Sequence, residues 1–211
     1  MANIIPAILT DNIREIQDKL DKLAEVIEFV QIDFMDGKFV DNVSVKPEEL
    51  RQLETDINLE AHLMVRNPDQ WLPHLSPDVF KHIYFHIEAV PEPEDLIRQI
   101  KGIGHEVGIA LNLETSSEII EPYTEYLEAV LFMSIAKPGW QGEQFHPEVL
   151  EKIKEFWKEY PDINTGIDGG VDENNIAEIS EAGVHNIYVG SALFAQGNVK
   201  DNLEKLKDKL R

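Results

Sequence analysis

Eight short apolar segments alternate with amphipathic helical patterns along the 211 residues of the chain. The segments are rich in β-branched residues and recur roughly every 20–35 residues, a pattern typical of strands separated by helices. Their predicted positions are 4–9, a run that ends at Asp33, 57–65, 79–86, 107–111, 129–135, 163–168 and 184–189. Because such alternation favours a parallel sheet, eight units without a linker predict an α/β fold: a single-domain (β/α)₈ TIM barrel over residues 1–211.

A doubly wound open sheet is the alternative architecture. Such sheets usually have five or six strands, and the turn after the first predicted strand carries no glycine-rich dinucleotide fingerprint. The pattern therefore favours the barrel. Among the connections, we expect a helix that starts at Asn67-Pro68-Asp69, one with a capping box at 115–118, and one opened by Gly169-Gly170.

Composition excludes several classes of function. The chain has 40 acidic against 19 basic residues and a net charge of −21, which repels nucleic-acid phosphates and anionic membranes. No apolar run approaches the ~18 residues of a membrane span, and the N-terminal residues lack the pattern of a secretory signal. The absence of cysteine excludes disulfides and thiolate metal sites and is compatible with the cytoplasm, where we expect the protein to be.

Three ionisable residues fall at or near the C-terminal ends of predicted strands. They are Asp33, His62 and Asp168, and in a barrel those ends converge on one mouth. Two carboxylates facing each other there could exchange protons with opposite faces of one substrate carbon and invert it. His62 between them suits a hydrogen-bond donor or a nitrogen ligand of a metal. Three unrelated, satisfied polar groups remain the alternative.

Glycines follow the last strands, where barrels commonly bind phosphate. Gly169, Gly170, Gly190 and Ser191 offer backbone N–H groups, and Gly139 and Gly142 could supply a third donor loop. Three methionines lie near strand ends, either as core filler or as an apolar floor beneath reacting atoms. These methionines are Met35, Met64 and Met133.

Taken together, these segments resemble the ribulose-phosphate 3-epimerase family over nearly the whole chain. The matching segments are 6–9, 32–40, 62–65, 86–89, 111–112, 133–134, 138–139, 168–170 and 190–192. The resemblance implies a barrel that interconverts D-ribulose 5-phosphate and D-xylulose 5-phosphate, with Asp33 and Asp168 as the acid/base pair. It also implies a homo-oligomer and a divalent metal, Zn, Fe, Mn, Co or Mg, held by two histidines and two aspartates.

One departure from the family pattern falls in the metal site. Asp33, His62 and Asp168 match ligands, but Gln31 stands where the second histidine is expected. An amide oxygen is a poorer ligand than imidazole for zinc. The site could therefore hold a harder ion weakly through Gln31, work without metal using Gln31 and His62 as donors to an enediolate, or have lost catalysis. His86 is a possible replacement ligand, although a packing or supporting role suits it better.

Smaller departures bear on the substrate. The loop 136–143 differs from the family's Asn-Pro-Gly-Phe-Gly-Gly-Gln pattern, and Thr10 stands in place of a serine whose hydroxyl it retains. Our leading hypothesis is a ketose-phosphate 3-epimerase of the pentose phosphate pathway. The alternatives are a relative acting on a hexulose 6-phosphate and a non-catalytic sugar-phosphate-binding barrel. None of the three binds nucleic acid or membranes.

Overall fold

Eight parallel strands close into one barrel, in the order of the chain. The computed structural model describes residues 2–194 and 197–210, and the barrel confirms the predicted fold class. Residues 1, 195, 196 and 211 of the predicted domain 1–211 lie outside the described residues, and the single-domain boundary stays a prediction. The strands are β1 (Asn3–Ile8), β2 (Phe29–Met35), β3 (Asn58–Met64), β4 (Phe80–His86), β5 (Glu106–Leu111), β6 (Ala129–Met133), β7 (Asn164–Asp168) and β8 (Asn186–Val189).

Helices connect the strands and cover the outside of the barrel. The α-helices are α1 (Ile13–Leu23), α2 (Pro93–Ile103), α3 (Val149–Glu159), α4 (Ile176–Glu181), α5 (Ser191–Phe194) and α6 (Val199–Lys209). Five 3₁₀ helices lie at Pro47–Gln52, Pro68–Gln70, Leu72–His74, Ile87–Ala89 and Ser117–Tyr126. Within the described part of the chain, no helix is both long and apolar enough to cross a membrane.

Three helix predictions were wrong in detail. The connection after β3 contains only short 3₁₀ turns, because Pro73 lacks the backbone N–H group that a helix continuing from Pro68 would need at that position. The connection after β5 is also 3₁₀, with Pro122 inside it, and its cap is the Ser116 side chain, which accepts from the backbone N–H of Glu118. The helix after β7 begins at Ile176, several residues beyond Gly169 and Gly170.

The barrel strands alternate between two environments. On β2, Val30, Ile32 and Phe34 belong to the main apolar core, whereas Gln31 and Asp33 contact polar groups on other strands inside the barrel. Because successive strand residues face opposite sides, every second residue of each strand points inward. The sequence of β2 therefore places its polar residues inside the barrel and its apolar residues under the helices.

A buried polar network fills the N-terminal end of the barrel. Glu60, 1 % exposed, accepts from the hydroxyl of Tyr188 at 2.7 Å, and that hydroxyl lies 3.0 Å from the hydroxyl of Tyr84. His82 joins Glu60 to Glu106, with N–O distances of 2.6 and 2.5 Å. Burial disfavours charge on His82, but these two carboxylates outweigh it and raise the pKa of the imidazole. The network satisfies a carboxylate that would otherwise be costly to bury.

The Tyr84 ring fits inside the barrel because the neighbouring strand carries glycine opposite it. Gly108 pairs with Tyr84 across β4 and β5, and a Cβ atom at Gly108 would lie 2.2 Å from the ring. That separation is far below van der Waals contact. Any other residue at this position would therefore displace Tyr84 and break the network at Glu60.

We predict that His82→Gln destabilises the fold in a pH-dependent way. The folded-state pKa of His82 is raised, so its stabilisation is complete below the unfolded pKa of about 6.5 and is lost as pH rises through the higher folded value. The difference in unfolding free energy between wild type and variant should therefore shrink from pH 6 to pH 9. Urea unfolding at several pH values measures it, with the exposed His74→Gln as control. A difference in unfolding free energy that stays constant or grows with pH would contradict a raised pKa of His82 in the folded state.

Candidate active site

Four polar side chains from three strands meet at the C-terminal end of the barrel. Gln31 and Asp33 come from β2, His62 from β3 and Asp168 from β7. Nδ1 of His62 lies 3.1 Å from Oδ1 of Asp33 and 3.4 Å from Oδ2 of Asp168. The structure thus brings together the three ionisable residues that the sequence placed at strand ends.

Register explains this convergence. Asp33 pairs with His62 in the β2–β3 ladder, so their side chains emerge at one level on the inner face. Asp168 is the last residue of β7, and the closed sheet brings β7 back toward β2 through β8 and β1. An open sheet with the same strands would leave Asp33 and Asp168 far apart.

The side chains at this cluster are almost dry, and their ionisation is shifted. His62 is fully buried and Asp33 is 7 % exposed. Burial and the charge of Asp168 raise the pKa of Asp33 to about 6, although hydrogen bonds from His62 and Gln31 oppose the rise. Burial also disfavours charge on His62, but the hydrogen bonds and charges of the two aspartates outweigh it and raise its pKa to about 9. A carboxylic acid with a pKa near neutrality is suited to both taking up and releasing a proton.

Gln31 bridges the two carboxylates. Its Nε2 donates to Oδ1 of Asp33 at 2.9 Å and to Oδ2 of Asp168 at 2.7 Å. Its Oε1 is buried and has no hydrogen-bond partner among the described residues. An N–H donor between the aspartates relieves part of their mutual repulsion, and the amide keeps an unused oxygen.

The same cluster is a possible metal site. Asp33, His62 and Asp168 each present one ligand atom, all within 4.8 Å of one another. Nε2 of Gln31 faces these atoms in the structure, and rotation of the amide by half a turn would present its unpartnered oxygen as a fourth potential ligand. Such a set of three oxygens and one nitrogen fits a divalent cation and suits a harder ion such as Mn²⁺ better than zinc.

A small cavity of about 50 Å³ opens above the aspartates. The predicted site residues that line it are Asp33, Met64, Met133, Gly139, Gly142, Asp168, Gly169, Gly170, Gly190 and Ser191. Sites for small molecules usually measure roughly 300–1,000 Å³. In this conformation the cavity is therefore smaller than a typical small-molecule site, and residues 139–142 of the loop after β6 form part of its lining.

Two predicted substrate-binding residues lie outside the cavity lining. The hydroxyl of Thr10 donates to the carboxylate of Glu15 at 2.7 Å and accepts from the backbone N–H of Asn12, the residue that caps α1. Met35 is buried, and its Sδ would lie 3.0 Å from a Cβ atom at Gly139. Met35 therefore packs beneath the loop after β6.

The glycine-containing turns after β7 and β8 differ in conformation. Gly190 and Ser191 stand directly before and at the start of α5, as predicted. Gly169 and Gly170 do not open a helix; both have positive φ angles, and Gly170 packs against the backbone of loop residues 143–145. The hydroxyl of Ser134 donates to the carbonyl of Gly169 at 2.6 Å, which ties the end of β6 to the turn after β7.

Sequence reasoning gave His86 a packing or supporting role beside the cluster but missed Glu88, which supports His86 in turn. Nε2 of His86 lies 3.0 Å from Nε2 of His62, and Nδ1 of His86 lies 3.3 Å from a carboxylate oxygen of Glu88. Burial works against charge on Glu88, but hydrogen bonds from His86, Thr115 and Asn112 outweigh it and lower its pKa to about 2. The spacing of a histidine that ends a strand and an acid two residues later was the available signal.

A larger cavity, of about 770 Å³, opens at the opposite end of the barrel. It is lined partly by Glu60, His82 and Asn186. Size alone would favour this larger cavity as the functional site, but Glu60 and His82 are paired with each other and with further partners. In parallel barrels catalytic groups lie at the C-terminal ends of strands, where the small cavity and the two aspartates are.

Comparisons with known proteins identify the family of the chain. A model of the Ribulose-phosphate 3 epimerase family matches residues 3–194. The chain belongs to this family. The ribulose-phosphate 3-epimerase of Bacillus subtilis (strain 168) is 31 % identical over 98 % of this chain and 99 % of its own length. The ribulose-phosphate 3-epimerase of Mycobacterium bovis is 32 % identical over 90 % of this chain and 85 % of its own length. Enzymes of this name are isomerases, and the prediction of an isomerase is confirmed.

Similarity to solved structures concerns the fold. Phosphoribosyl anthranilate isomerase from Thermococcus kodakaraensis superposes with a TM-score of 0.68 over 100 % of this chain and 99 % of its own, at 15 % identity. The Thermus thermophilus enzyme of that name gives the same TM-score at 16 % identity. At these identities the likeness supports the barrel architecture alone.

We predict that Gly170→Ala is more damaging than Gly142→Ala. Both positions have positive φ, so each variant should lose about 1–2 kcal/mol to backbone strain. Only at Gly170 would the new Cβ lie 2.8–3.0 Å from backbone atoms of residues 143 and 145, adding about 1–3 kcal/mol of overpacking. Denaturant unfolding measures the loss of unfolding free energy in each variant. Equal losses would show that residues 143–145 move away from the new Cβ without an energetic cost.

Proposed function

We propose that the chain is a ketose-phosphate 3-epimerase that interconverts D-ribulose 5-phosphate and D-xylulose 5-phosphate. The observation that carries this proposal is the placement of the Asp33 and Asp168 carboxylates around the same nitrogens of His62 and Gln31 at the barrel mouth. The name of its relatives in the family supports the substrate class. A cytoplasmic location and a homo-oligomeric state stay predictions.

In the proposed reaction the two aspartates act on one carbon. One carboxylate removes the proton from C3, next to the carbonyl at C2, and an enediolate forms. The other aspartate, protonated, returns a proton to the opposite face of C3, and the configuration inverts. The raised pKa of Asp33 suits this exchange, since a group that titrates near neutral pH can serve in both directions.

Neutral and charged donors support the developing negative charge. The Nδ1 of His62 and the amide of Gln31 lie between the carboxylates, where N–H groups stabilise an anion in a water-poor site. A divalent cation bound by Asp33, His62, Asp168 and Gln31 would stabilise negative charge on the substrate oxygens. The methionines Met64 and Met133 line the cavity beside them and exclude water.

Phosphate binding must overcome the overall charge of −21. Backbone N–H groups are the donors of choice because they carry no side-chain entropy and point at a fixed position. We assign this role to the turns at Gly170 and at Gly190-Ser191, which line the cavity. Gly139 and Gly142 in the loop after β6 line it as well.

Solvent exchange tests the reaction directly. Incubation with D-ribulose 5-phosphate in D₂O should place deuterium at C3 of substrate and product, as measured by proton NMR. Asp33→Asn and Asp168→Asn should each reduce epimerisation about 10²–10⁴-fold, because each removes a general acid/base. Thr10→Val is the matched control and should be close to wild type. Wild-type protein that exchanges no deuterium at C3 would refute the proposal.

Metal preference tests the role of Gln31. Gln31→His should increase affinity for Zn²⁺ and Co²⁺ more than for Mn²⁺ and Mg²⁺, because imidazole is the better ligand for the later metals. Competition with a chelator measures each dissociation constant. Gln31→Met, which removes both amide atoms at similar volume, should weaken binding of all four ions. An equal gain for all four ions with Gln31→His would contradict a ligand role for this position.

Two alternatives each rest on one observation. Trp140 and Gln141 line the cavity in a loop that differs from the family pattern, which favours a hexulose 6-phosphate as substrate. Comparing kcat/KM for five-carbon and six-carbon ketose phosphates decides between a pentulose and a hexulose substrate. The amide of Gln31 between the aspartates favours a non-catalytic barrel, which would bind sugar phosphates in calorimetry without turnover in the presence of Mn²⁺, Fe²⁺, Co²⁺ or Zn²⁺.

A further inference from the structure

A chain of hydrogen-bonding groups runs from the two aspartates to a surface glutamate. Nδ1 of His62 faces Asp33 and Asp168, and Nε2 of His62 lies 3.0 Å from Nε2 of His86. Nδ1 of His86 lies 3.3 Å from Oε2 of Glu88. Both imidazoles are fully buried, and their ring planes differ by 22°. Neither ring can exchange its partners for water.

Glu88, at the outer end of this series of hydrogen bonds, determines which ring nitrogens of His86 and His62 carry hydrogens. A carboxylate only accepts, so Glu88 requires the hydrogen on Nδ1 of His86. The neutral His86 ring then has a bare Nε2, which accepts from its neighbour. The 3.0 Å contact therefore requires the hydrogen on Nε2 of His62. Nδ1 of His62 is left as the nitrogen that faces the carboxylates, whether it carries a proton or a lone pair.

Glu88 itself is firmly oriented. Its Oε1 accepts from the backbone N–H of Asn112 at 2.8 Å and from the hydroxyl of Thr115 at 2.5 Å. The ammonium group of Lys152 donates to the carbonyl of Thr115 at 2.9 Å, which holds that loop against α3. With Oε1 occupied by two donors, Oε2 is the oxygen presented to His86.

We propose that Glu88, acting through His86, is a positioning residue that keeps a hydrogen on Nε2 of His62 and directs Nδ1 of His62 at Asp33 and Asp168. This inference deepens the proposed function and rests on it for its catalytic meaning. Groups that orient a ligating or donating histidine through its second nitrogen are worth about 10–100-fold in metal affinity or activity.

An isosteric variant should reverse the hydrogens. In Glu88→Gln the amide oxygen is retained by the two donors from Asn112 and Thr115, so the NH₂ group faces His86. Nδ1 of His86 must then accept, and the ring moves its hydrogen to Nε2. That hydrogen points at Nε2 of His62, which must lose its own.

Nitrogen NMR of histidine-labelled protein tests this directly, since protonated and bare ring nitrogens differ strongly in ¹⁵N shift. Wild type should show Nδ1–H and a bare Nε2 on His86, with Nε2–H on His62. Glu88→Gln should show a bare Nε2 on His62 and bind Mn²⁺ about 10–100-fold more weakly. Thr115→Val, which removes one donor but keeps the carboxylate, should retain the wild-type protonation pattern and affinity.

The outcomes separate this inference from the proposed function. A wild-type spectrum with Nε2–H on His86 overturns the inference even if Glu88→Gln fails to fold. Unchanged His62 nitrogens in folded Glu88→Gln also overturn it, whatever happens to stability or rate. If the hydrogens reverse while wild type exchanges no deuterium at C3 of any ketose phosphate, the positioning role stands and the epimerase proposal fails.

Discussion

Two carboxylates buried next to each other are the constraint around which the C-terminal end of this barrel is built. Asp33 and Asp168 repel each other, and burial together with the charge of Asp168 raises the pKa of Asp33. His62 and Gln31 lie between them and supply N–H donors to both sides. Closure of the sheet makes this meeting possible, since β2 and β7 are not neighbours in the ladder.

Most of the fold and the ionisable part of the site followed from the sequence. Apolar, β-branched runs between amphipathic helical patterns located all eight strands, although most predicted ends differ from the observed ones by one or two residues. Asp33, His62 and Asp168 were predicted at strand ends, and barrel closure alone then brings them together. The prediction of a continuous helix after β3 was wrong because Pro73 interrupts it and leaves only 3₁₀ turns.

What the sequence could not supply was the direction of individual side chains. The hydroxyl of Thr10, predicted to bind substrate, donates to Glu15 in the first turn of α1, and its substrate role stays a prediction. Gly169 and Gly170 looked like a helix start and prove to be a turn packed on another loop. The link from His62 through His86 to Glu88 depends on ring orientation and on register between β3 and β4, neither of which a linear pattern specifies.

The replacement of a histidine by Gln31 changes the ligand chemistry while leaving the formal charge of the cluster the same, because neutral imidazole and amide are both uncharged. The acid/base chemistry therefore depends on the aspartates more than on this position. The proposed reaction requires that each aspartate exchanges a proton with one face of the substrate C3. The direct measurement is C3 deuterium exchange by Asp33→Asn and Asp168→Asn, each supplied separately with D-ribulose 5-phosphate and D-xylulose 5-phosphate in D₂O. Each variant should exchange one epimer without converting it, and the two variants should select opposite epimers; exchange of the same epimer by both, or epimerisation by either at the wild-type rate, would contradict the account.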